Sequence, residues 1–324
     1  MVINIILFII SLVAIIKGAD YMTDGASAVA HRYGIPSLVI GMTIVAMGSS
    51  APELVVSSVS AVQGKTDISI GNVVGSNIFN ILGIIGVTAL VSPIAASRGN
   101  VRNDVPFVVL SAMALSITAL DSLFTTGAKC EIGRSEGLML LCMFAIFLSY
   151  TFAMSKSGSP SSNSDQMKIK PLSMPRAVIY IVLGMSALIY GGDILVDSAT
   201  NIALDLGISQ SIIALTIVSA GTSLPELAAS VMAARKGDTA MALGNVVGSN
   251  IFNVFFIIGI SATITPLALG GITIADIGTL IGASILFWIF TKTDFSIKRW
   301  EGAILIILQI TYYIYLVINA KNCH

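Results

Sequence analysis

The sequence predicts an all-α membrane protein of ten transmembrane helices, arranged as two inverted five-helix repeats. Three observations predict it. First, 55% of the 324 residues are hydrophobic and 10% charged, with a mean hydropathy of +0.92. A soluble domain carries roughly 25% charged residues, so most of this chain cannot face water. Second, ten apolar runs are separated by polar clusters, each run near the ~20 residues that cross the hydrocarbon of a bilayer. Third, the string GNVVGSNIFN occurs twice, at 71–80 and at 244–253.

Taken in order, the expected spans are 2–18, 36–62, 68–92, 104–121, 135–154, 175–192, 209–234, 241–265, 272–291 and 300–319. The first is apolar from residue 2, with no basic stretch before it and no small-residue cleavage pattern after it, so it reads as a span rather than a signal peptide. Spans two and seven each carry a proline in a small-residue stretch, Gly48-Ser49-Ser50-Ala51-Pro52-Glu53 and Gly221-Thr222-Ser223-Leu224-Pro225-Glu226. Proline donates no N–H and its ring clashes with the carbonyl four residues back. Both helices are therefore expected to break at Pro52 and Pro225, freeing the carbonyls of Gly48 and Gly221. Spans three and eight hold the repeated string, in which Gly71 and Gly75, like Gly244 and Gly248, form small-residue pairs that permit close helix approach. Between spans five and six, residues 155–175 are rich in Ser, Pro and Lys and read as a linker.

The repetition extends beyond the string. The offset that separates its two copies also aligns TIVAMGSSAPE (43–53) with TIVSAGTSLPE (216–226), and Gly18, Asp20 and Asp24 with Gly191, Asp193 and Asp197. At a slightly shorter offset, GRSEG (133–137) matches KRWEG (298–302). The organisation is thus a first repeat over 1–154, a linker over 155–175 and a second repeat over 176–324. Five spans are an odd number, so the second repeat enters the membrane in the opposite sense. Thirteen of the 17 basic residues fall on one face, the linker's face. That bias places the linker in the cytoplasm and both termini outside.

Glu53 and Glu226 are the acidic residues well inside apolar spans, where a carboxylate costs roughly 2.5–3.5 kcal/mol on insertion scales. No Lys or Arg lies in the interior of a span to neutralise them. A buried cation is the expected partner. Asn72, Ser76 and Asn80 are spaced four apart and line one side of a helix, as do Asn245, Ser249 and Asn253. Asn77 and Asn250 lie off this stripe and read as packing residues. Two carboxylates, amide and hydroxyl oxygens and freed carbonyls suit a hard cation such as calcium. Two monovalent ions would balance the same charge. No histidine sits in a span, so a soft transition-metal site is not expected. Asp20, Asp24, Asp193 and Asp197, at the expected ends of spans one and six, read as structural or as lining a cavity mouth.

At these motifs the sequence resembles the cation/calcium exchanger superfamily, in particular prokaryotic sodium/calcium exchangers. The two signature repeats of that family look like residues 41–80 and 214–253 here. The resemblance implies ten helices, breaks in helices two and seven, and alternating access by sliding of helices one and six. It further implies that Glu53 and Glu226 are shared calcium and sodium ligands and that Ser50, Ser76, Ser223 and Ser249 contribute hydroxyls. Ser49 and Thr222 would add hydroxyl or carbonyl oxygens, Thr43 and Thr216 the same, Ala46 and Ser219 backbone oxygens, and Asn80 an amide. Some members carry Asp at the position of Asn253, where this chain has Asn in both repeats.

The expected function is therefore exchange of sodium for calcium at a central two-glutamate site. A proton-coupled calcium or other cation antiporter on the same fold is the open alternative, because protons can neutralise the same carboxylates. The basic and acidic totals are equal at 17 each, which argues against nucleic acid as a partner. The expected partners are calcium, sodium and the lipid bilayer, with no obligatory protein partner and no cofactor. Three cysteines, Cys130, Cys142 and Cys323, form neither a disulfide framework nor a metal-ligand spacing. An enzyme is not expected, since HExxH, a nucleotide-binding loop and a Ser-His pairing within the membrane are all missing.

Overall fold

The computed structural model describes residues 2–120, 131–157, 172–206, 219–269 and 271–322. Its helices are α1 Val2–Tyr33, α2 Ser37–Ser49, α3 Ala51–Val62, α4 Thr66–Val91, α5 Asn100–Ala119 and α6 Arg134–Ser157 in the first half. In the second half they are α7 Met174–Asp205, α8 Ser219–Gly221, α9 Leu224–Arg235, α10 Thr239–Ile264, α11 Ile274–Lys292 and α12 Arg299–Asn322. Eight of these are long and apolar enough to cross a membrane, and α2 with α3 makes a ninth when the bent pair counts as one span. The expected seventh span, 209–234, is described only from residue 219 onward, and most of the linker, 158–171, lies outside the described residues.

Two span limits differ from expectation. The first and sixth spans were expected over 2–18 and 175–192, but α1 and α7 each run unbroken for 32 residues. At 1.5 Å per residue each is about 48 Å long, well beyond a hydrocarbon core of about 30 Å. Small and polar residues after Gly18 hid the continuation from an apolar-run criterion. In the structure Ala19, Met22, Ala26 and Val29 are buried at helical spacing, so the segment is a packed face. Asp20 and Asp24 consequently lie within α1 and not at its end.

Burial sorts the helices into layers. In α4 and α10, 78% of the most apolar window is buried, against 22–28% in α1, α6, α7 and α12. The two helices that carry the repeated string therefore form the centre. The outer four turn their isoleucines, leucines and valines toward lipid, as at Ile6, Ile10, Leu183 and Ile307. Gly244 and Gly248 explain how closely the centre packs. A Cβ on Gly244 would stand 2.3 Å from the Leu38 carbonyl oxygen, and one on Gly248 would stand 2.5 Å from that of Met42. The small-residue pair of α10 thus seats α2 of the other repeat directly on its backbone.

The repeats interlock in opposite senses. A Cβ on Gly18 would meet the Gly184 carbonyl at 2.9 Å, and one on Gly25 would meet that of Ala177 at 2.7 Å. Moving up α1 therefore means moving down α7, its repeat counterpart, so the two run antiparallel. Short strands repeat the exchange: β1 (Ile94–Ala95) pairs with β4 (Ser296–Ile297), and β2 (Glu131–Ile132) with β3 (Leu267–Ala268), both antiparallel. Each strand pairs across the repeats.

The second span bends by 49° between α2 and α3. Ser50, at φ −81° and ψ 13°, is the residue at the break, and Pro52 occupies the first turn of α3. In the second half Thr222 and Ser223 form a turn between α8 and α9, with Ser223 at φ −91° and ψ 8° and Pro225 in the first turn of α9. Proline is well tolerated at a helix start, where its missing N–H would be unpaired anyway. Gly64 (φ 75°) and Gly237 (φ 86°) turn the chain after α3 and α9 into the next helix. One feature had no sequence signature: α4 widens into a π-turn over Asn80–Ile85 and α10 over Phe252–Ile258. Such widenings occur frequently at functional sites.

Candidate functional site

The first turns of α3 and α9 place Glu53 and Glu226 in the centre of the molecule, with 0% and 1% exposure. Each carboxylate receives a hydroxyl from the opposite repeat. Ser50 Oγ donates to Glu226 Oε1 at 2.7 Å, and Ser223 Oγ donates to Glu53 Oε1 at 3.0 Å. The serines stand at the two helix breaks, so each break carries a hydroxyl to the other repeat's glutamate. No described Lys or Arg forms an ion pair with either glutamate.

The polar stripes of α4 and α10 flank the carboxylates. Asn72 Nδ2 donates to the Glu53 carbonyl at 3.3 Å and to Ser57 Oγ at 3.0 Å. Asn245 Nδ2 donates to the Glu226 carbonyl at 3.2 Å and to Ser230 Oγ at 2.9 Å. The Oδ1 atoms of these amides accept from the partner repeat, Thr222 Oγ1 to Asn72 at 3.5 Å and Ser49 Oγ to Asn245 at 3.3 Å. Asn72 and Asn245 therefore splice the two breaks to the central helices. Ser57 and Ser230, one turn beyond the glutamates and related by the repeat offset, were missed in the sequence although the offset marks them.

Several buried polar atoms have no hydrogen-bond partner among the described residues. They include Glu53 Oε2, Glu226 Oε2, the hydroxyls of Ser76 and Ser249, both polar atoms of Asn80, and Asn253 Oδ1. A buried polar group without a partner costs roughly 1–3 kcal/mol. These seven belong to the expected ligand set and six are oxygens, the donor type a hard cation prefers. Other unpartnered atoms, such as Ser69 Oγ, Thr88 Oγ1 and Ser261 Oγ, lie outside it. The remaining expected residues are differently placed. The Thr43 hydroxyl donates to its own helix at Val39, 2.7 Å away, and the Ala46 carbonyl accepts from the Ser50 N–H at 3.0 Å. Thr216 lies outside the described residues; Ser219 opens α8.

Four other acidic side chains are buried among the described residues, and three of them are used at a helix start. Asp238 caps α10 through the Met241 N–H, Asp276 forms a capping box with Thr273, and Glu301 accepts the Lys298 N–H. Asp104 accepts from the Tyr150 hydroxyl at 2.7 Å, and Asp276 likewise from Tyr312 at 2.8 Å. Asp20 and Asp24 pair with Lys236, at the end of α9, each at 2.7 Å. This tie between α1 and α9 was not foreseen, since Lys236 lies past the expected span and in the other repeat from its partners.

A protein-family model described as "Sodium/calcium exchanger protein" matches residues 3–153 and 176–320, nearly all of the chain outside the linker. The chain belongs to the sodium/calcium exchanger family. Among curated relatives of the exchanger, the putative antiporter CaxA of Alkalimonas amylolytica is 37% identical, covering 96% of this chain and 98% of its own. The sodium/calcium exchanger MaX1 of Methanosarcina acetivorans is 33% identical over 97% and 98%. Among solved structures, the sodium-calcium exchanger NCX_Mj soaked with 10 mM Na+ and zero Ca2+ superposes with a TM-score of 0.81 at 30% identity, covering 98% of this chain and 99% of that one. The exchanger is a multi-pass membrane antiporter of sodium and calcium, as expected.

Proposed function

We propose that the exchanger moves sodium and calcium through one central site whose shared ligands are Glu53 and Glu226. The observation that supports this reading most is the set of buried, unpartnered oxygens on the two glutamates, Ser76, Ser249 and Asn253. Ser50, Ser223, Ser49, Thr222 and Asn80 complete the proposed ligand set, with backbone oxygens from Thr43, Ala46, Thr216 and Ser219. Calcium takes six to eight oxygens in flexible geometry, and two carboxylates balance its charge.

The coupling follows from electrostatics. With neither cation bound, two carboxylates would remain unneutralised in an apolar surround, which is costly. A form in that state resists occlusion, so the site changes access loaded with calcium or with sodium. Both ions need the same carboxylates, hence each displaces the other. When a cation binds, the Ser50 and Ser223 hydroxyls rotate their protons away from the carboxylates and offer lone pairs instead. No covalent step and no cofactor is required.

The architecture of this reading is ten helices in two inverted repeats, 1–154 and 176–324, joined by a cytoplasmic linker over 155–175, with both termini outside. Spans two and seven break just before Pro52 and Pro225, at Ser50 and at Thr222 and Ser223. The moving part is the α1–α7 pair, sliding against a core of α2, α3, α4, α8, α9 and α10. Deep packing of α4 and α10 and the mainly lipid-facing surface of α1 and α7 support that division.

The deciding experiment is radioactive calcium uptake into sealed proteoliposomes preloaded with sodium, potassium or choline, with a separate set under an imposed pH gradient. Uptake confined to sodium-loaded vesicles, and abolished in Glu53→Gln and Glu226→Gln, is expected. Uptake unchanged in both variants would falsify the site, and uptake driven by protons alone would transfer the coupling to another ion.

A further inference from the structure

Asn77 lies off the polar stripe of α4, and its position alone suggests packing. Its hydrogen bonds say more. The carbonyl oxygen of Asn250 can only accept, so the Asn77 atom 3.2 Å from it is the amide nitrogen, Nδ2. Asn77 Oδ1 is thereby turned to Asn253, which donates through Nδ2 at 3.0 Å. With its nitrogen committed, Asn253 directs Oδ1 elsewhere. That oxygen is buried and has no partner among the described residues. A backbone atom thus sets the orientation of one amide, which sets the next.

We propose that Asn77 is a positioning residue for ion exchange, holding the Asn253 amide so that its oxygen, and not its NH2 group, faces the cations. The proposal rests on the two-glutamate site above. Its chemical sense is simple: an amide flipped end for end would present N–H dipoles to a cation and replace a ligand with a repulsion. The two repeats differ here. Asn250, the repeat counterpart of Asn77, spends its Nδ2 on Val246 of its own helix at 2.8 Å. Asn80, the counterpart of Asn253, has neither polar atom bonded among the described residues. One repeat therefore holds its amide in a fixed orientation and the other does not, which makes the two halves of a nearly symmetric site unequal ligands.

The test uses purified full-length protein, with calcium- and sodium-dependent shifts in melting temperature and half-saturating calcium in proteoliposomes. Asn77→Leu keeps the approximate side-chain size and removes both hydrogen bonds. Half-saturating calcium should rise about tenfold, the scale of one lost hydrogen bond, while the maximal rate stays within about twofold. Asn77→Asp retains an oxygen toward Asn253 and should bind calcium no more weakly than the parent, although it gives up the donor to Asn250. Asn250→Ala keeps the backbone carbonyl and should behave like the parent. Equal weakening in Asn77→Leu and Asn250→Ala, or parental affinity in Asn77→Leu, overturns the positioning role. Should Asn77→Leu not fold, weaker calcium binding by Asn77→Asp than by the parent overturns it instead. Glu53→Gln, run in parallel, separates the two claims. Unchanged binding there sinks the site and this proposal together, whereas glutamate-dependent binding that ignores Asn77→Leu sinks this proposal alone.

Discussion

Ser50 and Ser223 each sit at a helix break and each donate to the glutamate of the other repeat, so neither repeat completes its own carboxylate environment. A hydrogen bond to a charged group is worth roughly 1.5–3 kcal/mol, and the same hydroxyl is a proposed cation ligand. Ser50→Ala and Ser223→Ala are therefore expected to raise half-saturating calcium by about tenfold or more each. Because the hydrogen bonds are related by the repeat symmetry, the two effects should agree within about threefold. Calcium titration of exchange in proteoliposomes checks both. A large effect at one serine and none at the other would mean that the ions bind asymmetrically around the glutamates.

At the scale of elements, Lys236 joins α9 to α1. Its Nζ contacts Asp20 Oδ1, the Asp20 carbonyl and Asp24 Oδ1, each at 2.7 Å. The repeat counterpart of Lys236 is Gln63, and among the described residues no lysine makes the corresponding tie in the first repeat. If α1 slides past the core during exchange, the tie breaks in one of the two access states and favours the other. Lys236→Gln, which makes this position match Gln63, should increase amide hydrogen exchange over 16–24 and 229–236. Intrinsic calcium affinity at the central site should stay within about threefold, since Lys236 does not touch the glutamates. Lys236→Arg should largely preserve protection. Unchanged exchange in Lys236→Gln would assign the tie no part in holding α1.

For the whole molecule, stability depends on backbone approach between the repeats. Gly244 seats the Leu38 carbonyl where a Cβ would intrude to 2.3 Å, and neither backbone can yield alone. Gly244→Ala is expected to destabilise the protein by about 1–3 kcal/mol, the usual cost of overpacking. Gly278, within α11, has open space around it. Gly278→Ala should raise the melting temperature, by the roughly 1 kcal/mol that alanine gains over glycine in a helix. Thermal unfolding in detergent distinguishes them, and a stabilised Gly244→Ala would contradict the packing of α10 on α2.

The membrane class, both buried glutamates and the polar stripe were legible in the sequence, because each is a property of side-chain identity and spacing within one helix, and the repeats were legible because their strings match at a constant offset. Glu53 and Glu226 stood out as charges in apolar runs, and the constant offset between the repeats tied them together. The tertiary structure alone decided who meets whom. Ser50 reaches Glu226, Lys236 reaches Asp20 and Asn253 reaches Asn77 across separations of 176 to 216 residues. Such pairings depend on how two repeats dock, which no local period encodes. The lengths of α1 and α7 were hidden for a related reason: beyond Gly18 the apolar run ends, and the helix persists because its small residues pack against a partner rather than against lipid.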